Sequence, residues 1–347
     1  MPKAVQIDIA LQGGGAHGAF TWGVLDRLLE EEWLEIAGVS GTSAGAMNAV
    51  ALVQGLTQGG RERARELLRQ FWERVGRAAA FSPVQRSLMA RAFGVWSLER
   101  SPVYRWFEGL SETFSPYELN PLNINPLREI LLATLDFEVV NQPNAPRLFM
   151  SATNVRTGRL KLFRQPDLSV DTTLASACLP TLYQAVEIDG EAYWDGGYMG
   201  NPPLFPLVNE SPARDAIIVQ INPFLRPEIP RTAPDIQNRL NEITFNASLI
   251  FELRSLGFLY DLITREDLDR DAFRNGRLHR IAAEEVMRGL DVSSKMNAER
   301  RFLRHLFDIG RETATAWLDA HGDDVGKRSS WLPDFVAEES RTPAYRA

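Results

Sequence analysis

The chain has 347 residues, of which 44% are hydrophobic, 24% charged and 10% aromatic. These proportions suit a globular protein with a sizeable core, and they exclude a mainly disordered, collagen-like or fibrous chain. The formal charge is −7, from 38 Lys and Arg against 45 Asp and Glu, so no basic surface favours nucleic acid. The single cysteine, Cys178, cannot form an internal disulfide and suits a reducing compartment. With only four histidines beside it, we expect neither a metal nor a cofactor.

Two segments bear on localisation. The first residues lead directly into the apolar alternation of Val5, Ile7 and Ile9, which is not typical of a secretory leader. The longest uncharged stretch, residues 36–60, contains too many Gly, Ser and Thr residues for a lipid-exposed helix. We therefore predict a cytoplasmic protein without a membrane span.

Strands and helices alternate in the first part of the chain. Residues 5–11 predict a buried strand, 18–32 an amphipathic helix, 36–39 a second strand and 44–56 a second helix. A glycine-rich turn joins each strand to its helix. The alternation is typical of a parallel α/β sheet, and we predict a three-layer αβα domain with a mainly parallel central sheet.

Later segments extend this domain. Residues 78–122 are rich in aromatic residues and prolines and predict a helical insertion that caps one face of the core. Two hairpins are predicted around Thr157-Gly158 and Asp189-Gly190, and the apolar run 216–221 predicts a buried strand.

A proline-rich stretch at 225–232 marks the predicted domain boundary. It separates an α/β domain, residues 1–225, from a mainly helical C-terminal extension, residues 226–347.

A glycine-rich loop, Gly13-Gly14-Gly15-Ala16-His17-Gly18, follows the first strand. Its backbone N–H groups, beside the positive end of a helix dipole, suit either a phosphate or a developing oxyanion. The loop also fits the G-x-G-x-x-G pattern of a dinucleotide site, but the second strand ends at Gly38–Gly41 without the acidic residue that binds the ribose. A module that binds phosphate or a nucleotide through this loop stays open as an alternative, as does a simple tight turn.

The second glycine turn, Gly41-Thr42-Ser43-Ala44-Gly45, matches G-x-S-x-G between a strand and a helix. In such a turn the hydroxyl of Ser43 projects above the sheet edge, and the N–H of Ala44 faces the same point as the glycine loop. Ser43 is the predicted nucleophile. The alternative is a serine that only caps the following helix.

A nucleophilic serine needs a base. The downstream histidines His279, His305 and His321 fall in the charged C-terminal region, where we expect solvated surface positions. Asp195 is the better candidate, because a short strand delivers it into a turn that Gly196-Gly197 leaves open. The alternative is an ordinary Asp-Gly turn.

In this order, the glycine loop, the G-x-S-x-G turn and the Asp-Gly-Gly turn resemble the patatin-like phospholipase family over residues 5–222. The segment 175–180 also resembles the family's small-residue helix that ends in proline ahead of the aspartate. The resemblance implies a Ser43–Asp195 dyad without a catalytic histidine. It implies an oxyanion hole from the backbone N–H groups of residues 13–16, joined by Ala44. Supporting roles are expected for His17, Gly18, Gly41, Gly45, Gly196 and Gly197.

The family often has Arg or Lys where this chain has His17. A positive charge there would depend on protonation of His17, which predicts pH-dependent activity.

The resemblance implies a serine hydrolase of lipid esters, of phospholipase A type, that works through an acyl-enzyme. An acyltransferase or a thioesterase would use the same dyad. The expected partner is a lipid or another fatty-acyl ester. The aromatic insertion is expected either to cover the acyl chain and contact the membrane surface, or to form a satellite core.

Overall fold

A sheet of eight strands crosses the computed structural model, which describes residues 4–265 and 276–333. The strands are β1 Val5–Leu11, β2 Leu34–Gly41, β3 Arg147–Asn154, β4 Leu160–Arg164, β5 Val186–Ile188, β6 Glu191–Asp195, β7 Asp215–Gln220 and β8 Arg277–Ala282. Their order is β5-β6-β3-β2-β1-β7-β8, and β4 pairs with β3 beside this path. Four pairs are parallel and three, around β3 and β6, are antiparallel.

The helices are α1 Gly18–Leu28, α2 Ala44–Ala79, α3 Leu88–Ala92, α4 Pro102–Thr113, α5 Pro116–Leu119, α6 Pro126–Thr134, α7 Phe137–Val140, α8 Val170–Ser176, α9 Phe205–Glu210, α10 Ala233–Arg265, α11 Glu284–Arg288 and α12 Arg300–His321. Short 3-10 turns cover Gly15–His17, Gly196–Tyr198, Val292–Met296 and Gly322–Asp324. Among the helices of the described ranges, none has the length and the apolar run needed to cross a bilayer.

Strand residues alternate between the two faces of the sheet. Ile7, Ile9 and Leu11 of β1 join the larger core cluster, which also takes in residues of α1, α2 and α12. Ala10 joins a smaller cluster on the other face, with residues of α9 and α10. Helices therefore cover both faces, and the predicted αβα fold with a mainly parallel sheet is confirmed.

Both hairpins form as the sequence predicts, β3 with β4 and β5 with β6. The helix expected at 44–56 is the first part of α2, which continues to Ala79 with non-helical backbone only at Gly59 and Gly60. Residues 78–122 contain α3, α4 and α5.

The region after residue 225 adds a strand as well as helices. β8 pairs in parallel with β7 at the edge of the central sheet, which the sequence did not predict. α12 packs against α1 so closely that a Cβ at Gly23 would lie 2.0 Å from the carbonyl oxygen of Phe307. The division at residue 225 stays a prediction, and residues 266–275 and 334–347 of the predicted extension lie outside the described residues.

The expectation that His279 lies on solvated surface is wrong. His279 is fully buried on β8, where Nε2 lies 3.0 Å from Oδ1 of Asp215 and Nδ1 lies 2.9 Å from Oγ of Ser330. Arg277 also bonds to Asp215. Arg277 and His279 of the run Arg-Leu-His-Arg thus contact a buried carboxylate, which a count of charges along the chain does not reveal.

Candidate active site

The carboxyl ends of neighbouring strands bring the predicted motifs together. β1 and β2 are parallel, so the glycine loop after β1 and the serine turn after β2 meet at one edge of the sheet. β6 runs antiparallel to β3, and Asp195 is paired with Ala152 near the carboxyl end of β3. Because β3 is parallel to β2, Asp195 reaches the same edge. Ligands of open α/β sheets bind at this edge.

Ser43 has the backbone geometry of a strained elbow, with φ 55° and ψ −122°. A residue with a side chain rarely adopts such a positive φ, and strain of this kind concentrates at functional sites. A Cβ at Gly45 would lie 2.2 Å from the carbonyl oxygen of Leu11, so the turn requires glycine there. The N–H of Ser43 donates to Oγ of Ser176 over 2.9 Å. Among the described residues, the Ser43 side chain makes no capping bond to α2, which does not favour the helix-cap alternative.

The glycine loop approaches this elbow closely. A Cβ at Gly13 would lie 2.8 Å from Cβ of Ser43. Gly14, Gly15 and Ala16 border a cavity of about 410 Å³. Ser43, Ala44 and Asp195 line the same cavity.

The expectation that Gly13 supplies an oxyanion donor is wrong. Its N–H donates to Oδ1 of Asn201 over 2.6 Å, and its carbonyl oxygen accepts from Nδ2 of Asn222 over 3.0 Å. Gly13 is therefore an anchor of the loop, because its donor is already used inside the protein.

Asp195 is completely buried. Its Oδ1 accepts from the N–H of Gly197 over 2.7 Å, whereas Oδ2 has no hydrogen-bond partner among the described residues. Burial raises the pKa of Asp195 to about 7, and the Gly197 N–H, the Ser43 hydroxyl and the charge of Lys295 each lower that pKa in part. A Cβ at Gly197 would lie 2.3 Å from the ring of Phe245, and one at Gly196 would lie 2.2 Å from Oγ of Ser151, so this turn requires both glycines.

Ser43 and Asp195 are close neighbours in this cavity. The hydroxyl of Ser43 is near enough to the Asp195 carboxyl to lower its pKa. It is not within ordinary hydrogen-bond length of Oδ2, which has no partner among the described residues. Such contacts are commonly loose before substrate binds. No histidine is among the described residues that line the cavity.

His17 does not supply the charge expected of it. Its Nε2 lies 2.8 Å from Oγ of Ser294. Burial, together with the charge of Lys295, lowers the pKa of His17 to about 3, so the imidazole is neutral at physiological pH. The predicted pH switch through His17 is therefore wrong.

Sequence reasoning missed a lysine at the site. Lys295 lies in the turn Val292–Met296 and lines the cavity. Its Nζ donates to Oδ1 of Asn222 over 2.7 Å and to Oδ1 of Asn241 over 2.6 Å. Burial lowers the pKa of Lys295 to about 8. No recognisable motif contains Lys295, Asn222 or Asn241. Asn201, the partner of Gly13, could have been predicted because it lies just after the Asp-Gly-Gly turn.

The rest of the cavity wall is largely apolar. Contributions come from α2, the insertion, α6 and the segment after α8, with the side chains Met47, Phe71, Trp72, Val75, Phe107, Leu127, Leu179 and Leu182.

The aromatic insertion divides between core and surface. Tyr104 and Phe107 of α4 line the cavity, whereas Trp106 between them is 67% exposed. Trp96 stacks on Phe302 of α12, with 5.0 Å between the ring centroids. The insertion thus contributes both to the cavity wall and to the packing against α12.

The fold and site define an α/β protein with a strained serine elbow, a glycine loop and a buried aspartate at the carboxyl edge of its sheet. A family model described as patatin-like phospholipase matches residues 9–208, more than half of the chain. The chain belongs to this family, as its motifs predict.

A curated relative is a cGAMP-activated phospholipase from Pseudomonas aeruginosa, 28% identical over 229 residues. The match covers 60% of this chain and 59% of the relative, so the chain spans less than two thirds of that protein's length. Two solved structures are also similar. VipD from Legionella pneumophila is 14% identical with a TM-score of 0.43, covering 92% of this chain and 67% of that one. ExoU, in its complex with SpcU from Pseudomonas aeruginosa, is 17% identical with a TM-score of 0.30, covering 97% and 74%.

Proposed function

We propose that this protein is a serine hydrolase of lipid esters, with Ser43 as nucleophile and Asp195 as its base. The observation that carries the proposal is the shared cavity. It brings a strained serine, a buried carboxyl and a glycine loop together beside apolar walls. Membership of the patatin-like phospholipase family supports the same reaction class.

In the proposed reaction, Oγ of Ser43 attacks the ester carbonyl while Asp195 accepts the hydroxyl proton. The backbone N–H groups of Gly14, Gly15 and Ala16, with that of Ala44, stabilise the oxyanion. Asp195 then returns the proton to the departing alkoxide, and Ser43 keeps the acyl group as an ester. Water, losing a proton to Asp195, attacks this acyl-enzyme; the bond between the acyl carbon and Oγ breaks, Oγ of Ser43 takes the proton back from Asp195, and the fatty acid leaves. A pKa of about 7 suits this role, because a base works best when its pKa is near the working pH.

A phospholipid cleaved by a phospholipase A-type reaction is the proposed substrate. The apolar walls fit an acyl chain, and the curated relative is itself named a phospholipase. The exposed rings of Phe81, Phe93 and Trp106 in the insertion support peripheral contact with a membrane, from which such a chain would enter.

The test combines labelling with activity. Ser43→Ala and Asp195→Asn are each expected to lower hydrolysis of a p-nitrophenyl acyl ester by at least about 10³-fold. A fluorophosphonate probe should label the wild type at Ser43 and leave Ser43→Ala unlabelled. His305→Ala is the matched control, because His305 is exposed on α12. Near-normal activity of Asp195→Asn, with His305→Ala inactive, would show that the dyad is wrong.

Two alternatives give different outcomes in the same experiment. An acyltransferase or thioesterase would label at Ser43 but deliver the acyl group to, or take it from, a carrier, which product analysis detects. A module that only binds a phosphorylated ligand through the glycine loop would not label at all.

A further inference from the structure

Lys295 brings a positive charge to a cavity whose other lining residues are apolar or uncharged, apart from two acids. Among the lining residues that the structure describes, it is the one Lys or Arg, and the acids are Asp195 and Glu108. Lys295 lies outside the part of the chain that the family model matches, residues 9–208. It therefore belongs to the structure that this chain adds to the family's core.

The contacts of Lys295 leave its charge available. Its Nζ bonds to two neutral amide oxygens, those of Asn222 and Asn241, at 2.7 and 2.6 Å. An ammonium group has three N–H donors, so one remains for a ligand. The ring of Phe245, with its centroid 5.3 Å from Nζ, stabilises the positive charge through a cation–π contact and does not neutralise it.

Charged neighbours act on Lys295 only from a distance. Glu242 and Asp195 raise the pKa of Lys295 by their charges, against the larger effect of burial. Glu242 is itself bonded to Arg226 and Arg239. His17, on the glycine loop, is neutral because its pKa is about 3.

The turn that carries Lys295 is tied to the glycine loop. A Cβ at Gly15 would lie 2.4 Å from the carbonyl oxygen of Lys295. Asn222 bonds both to Nζ of Lys295 and to the carbonyl oxygen of Gly13. The ammonium group is thereby held beside the loop proposed to bind the ester carbonyl, where the alcohol part of a substrate would lie.

We propose that Lys295 binds the phosphate of the substrate's head group and makes the site selective for phosphate-bearing lipid esters over neutral ones. This inference rests on the proposed function. Lysine is a common phosphate ligand, because a compact ammonium group acts as a point charge. The acyl chain would lie along the apolar walls, and the phosphodiester would accept the remaining N–H of Lys295.

The test compares two substrates with the same acyl chains, phosphatidylcholine and diacylglycerol, in the same non-ionic detergent micelles at pH 7. The readout is kcat/KM for phosphatidylcholine divided by kcat/KM for diacylglycerol, called the ratio below. Because Asp195 serves both reactions, a change in its protonation cancels from this ratio. Lys295→Met is expected to lower the ratio about 10- to 100-fold, as for loss of a hydrogen bond to a charged group. Lys161→Met, which removes an exposed lysine of β4, should leave it unchanged.

A second readout does not depend on the methionine variant folding. With a Lys295 pKa of about 8, the wild-type ratio should fall as the pH rises from 7 to 9.5, since the ammonium group loses its proton while the phosphodiester stays charged. Lys295→Arg should keep its ratio over this range, because arginine stays protonated.

The outcomes separate the two proposals. If the wild type hydrolyses neither lipid and Ser43 is not labelled, the proposed function fails. If the wild type is active but its ratio is unaffected by pH, or folded Lys295→Met retains the wild-type ratio, only the role of Lys295 is overturned.

Discussion

The N–H of Gly197 donates a hydrogen bond of 2.7 Å to Oδ1 of Asp195. This bond holds one carboxyl oxygen in the turn after β6, while Oδ2 has no hydrogen-bond partner among the described residues. In the proposed reaction, Oδ2 is therefore the oxygen that accepts the proton of Ser43. An acceptor that is buried and unpaired is costly to ionise, and the raised pKa of Asp195 reflects that cost.

The first prediction concerns the pH dependence of this base. Below its pKa of about 7, Asp195 is protonated and cannot accept the proton of Ser43, so kcat/KM should rise as the pH increases through about 7. An aspartate with an ordinary pKa of about 3.9 would give a flat profile above pH 5. Measuring kcat/KM from pH 5 to 9 with a neutral p-nitrophenyl ester isolates the titration of Asp195, because this substrate has no phosphate that Lys295 could bind. A midpoint below pH 5 would contradict the assigned base.

The second prediction concerns the serine elbow. In Gly45→Ala, the new methyl group would lie 2.2 Å from the carbonyl oxygen of Leu11, which is backbone and cannot move aside without displacing β1. We expect a fall of about 10²-fold or more in kcat, as for a misplaced catalytic group, and weaker fluorophosphonate labelling. Gly109→Ala on α4 is the matched control, because a Cβ there meets nothing within 4 Å. Equal activity of the two variants would show that the elbow tolerates displacement.

Local sequence patterns predicted where the serine turn and the Asp-Gly-Gly turn lie in the fold. The elbow at Ser43 and the turn after Asp195 each depend on glycines a few positions away, at Gly45 and Gly197. Such short-range steric requirements appear in the sequence as compact motifs. Seven of the eight strands were likewise predictable, since they are apolar runs or hairpin strands beside glycine turns, whereas the charged run of β8 was not.

Long-range contacts were not predictable in the same way. His17 is neutral because it is buried against Ser294, 277 positions later in the chain. Gly13 loses its donor to Asn201, 188 positions away. Lys295 reaches the cavity from a turn without any recognisable pattern. Each depends on packing between distant segments, which periodicity and spacing do not encode.

The third prediction concerns the anchor of the glycine loop. Asn201 accepts from the N–H of Gly13 over 2.6 Å and donates to the carbonyl oxygen of Phe245 over 2.9 Å. Asn201→Ala leaves the buried N–H of Gly13 unpaired, at a cost of about 1–3 kcal/mol, and removes the side-chain bond to the carbonyl oxygen of Phe245, which lies within α10. The loop should shift, and kcat should fall about tenfold or more while Ser43 remains in place.

The matched control for Asn201→Ala is Asn144→Ala, because Asn144 is exposed. Thermal unfolding and kcat would be measured for both variants. If Asn201→Ala lowers the melting temperature but keeps the wild-type kcat, its bond to Gly13 serves stability alone.

The last prediction separates the two tryptophans of the insertion. Trp106 is 67% exposed on α4, beside two cavity-lining residues, so it is the ring placed to enter a lipid interface. Trp96 stacks on Phe302 and lies under the guanidinium group of Arg86, 4.3 Å from Cζ to the ring centroid. Trp106→Ser should therefore weaken co-sedimentation with phosphatidylcholine vesicles and leave the melting temperature unchanged. Trp96→Ser should lower the melting temperature, because it removes buried contacts. If Trp106→Ser binds vesicles as the wild type does, membrane contact does not depend on this ring, and α4 serves only as a wall of the cavity.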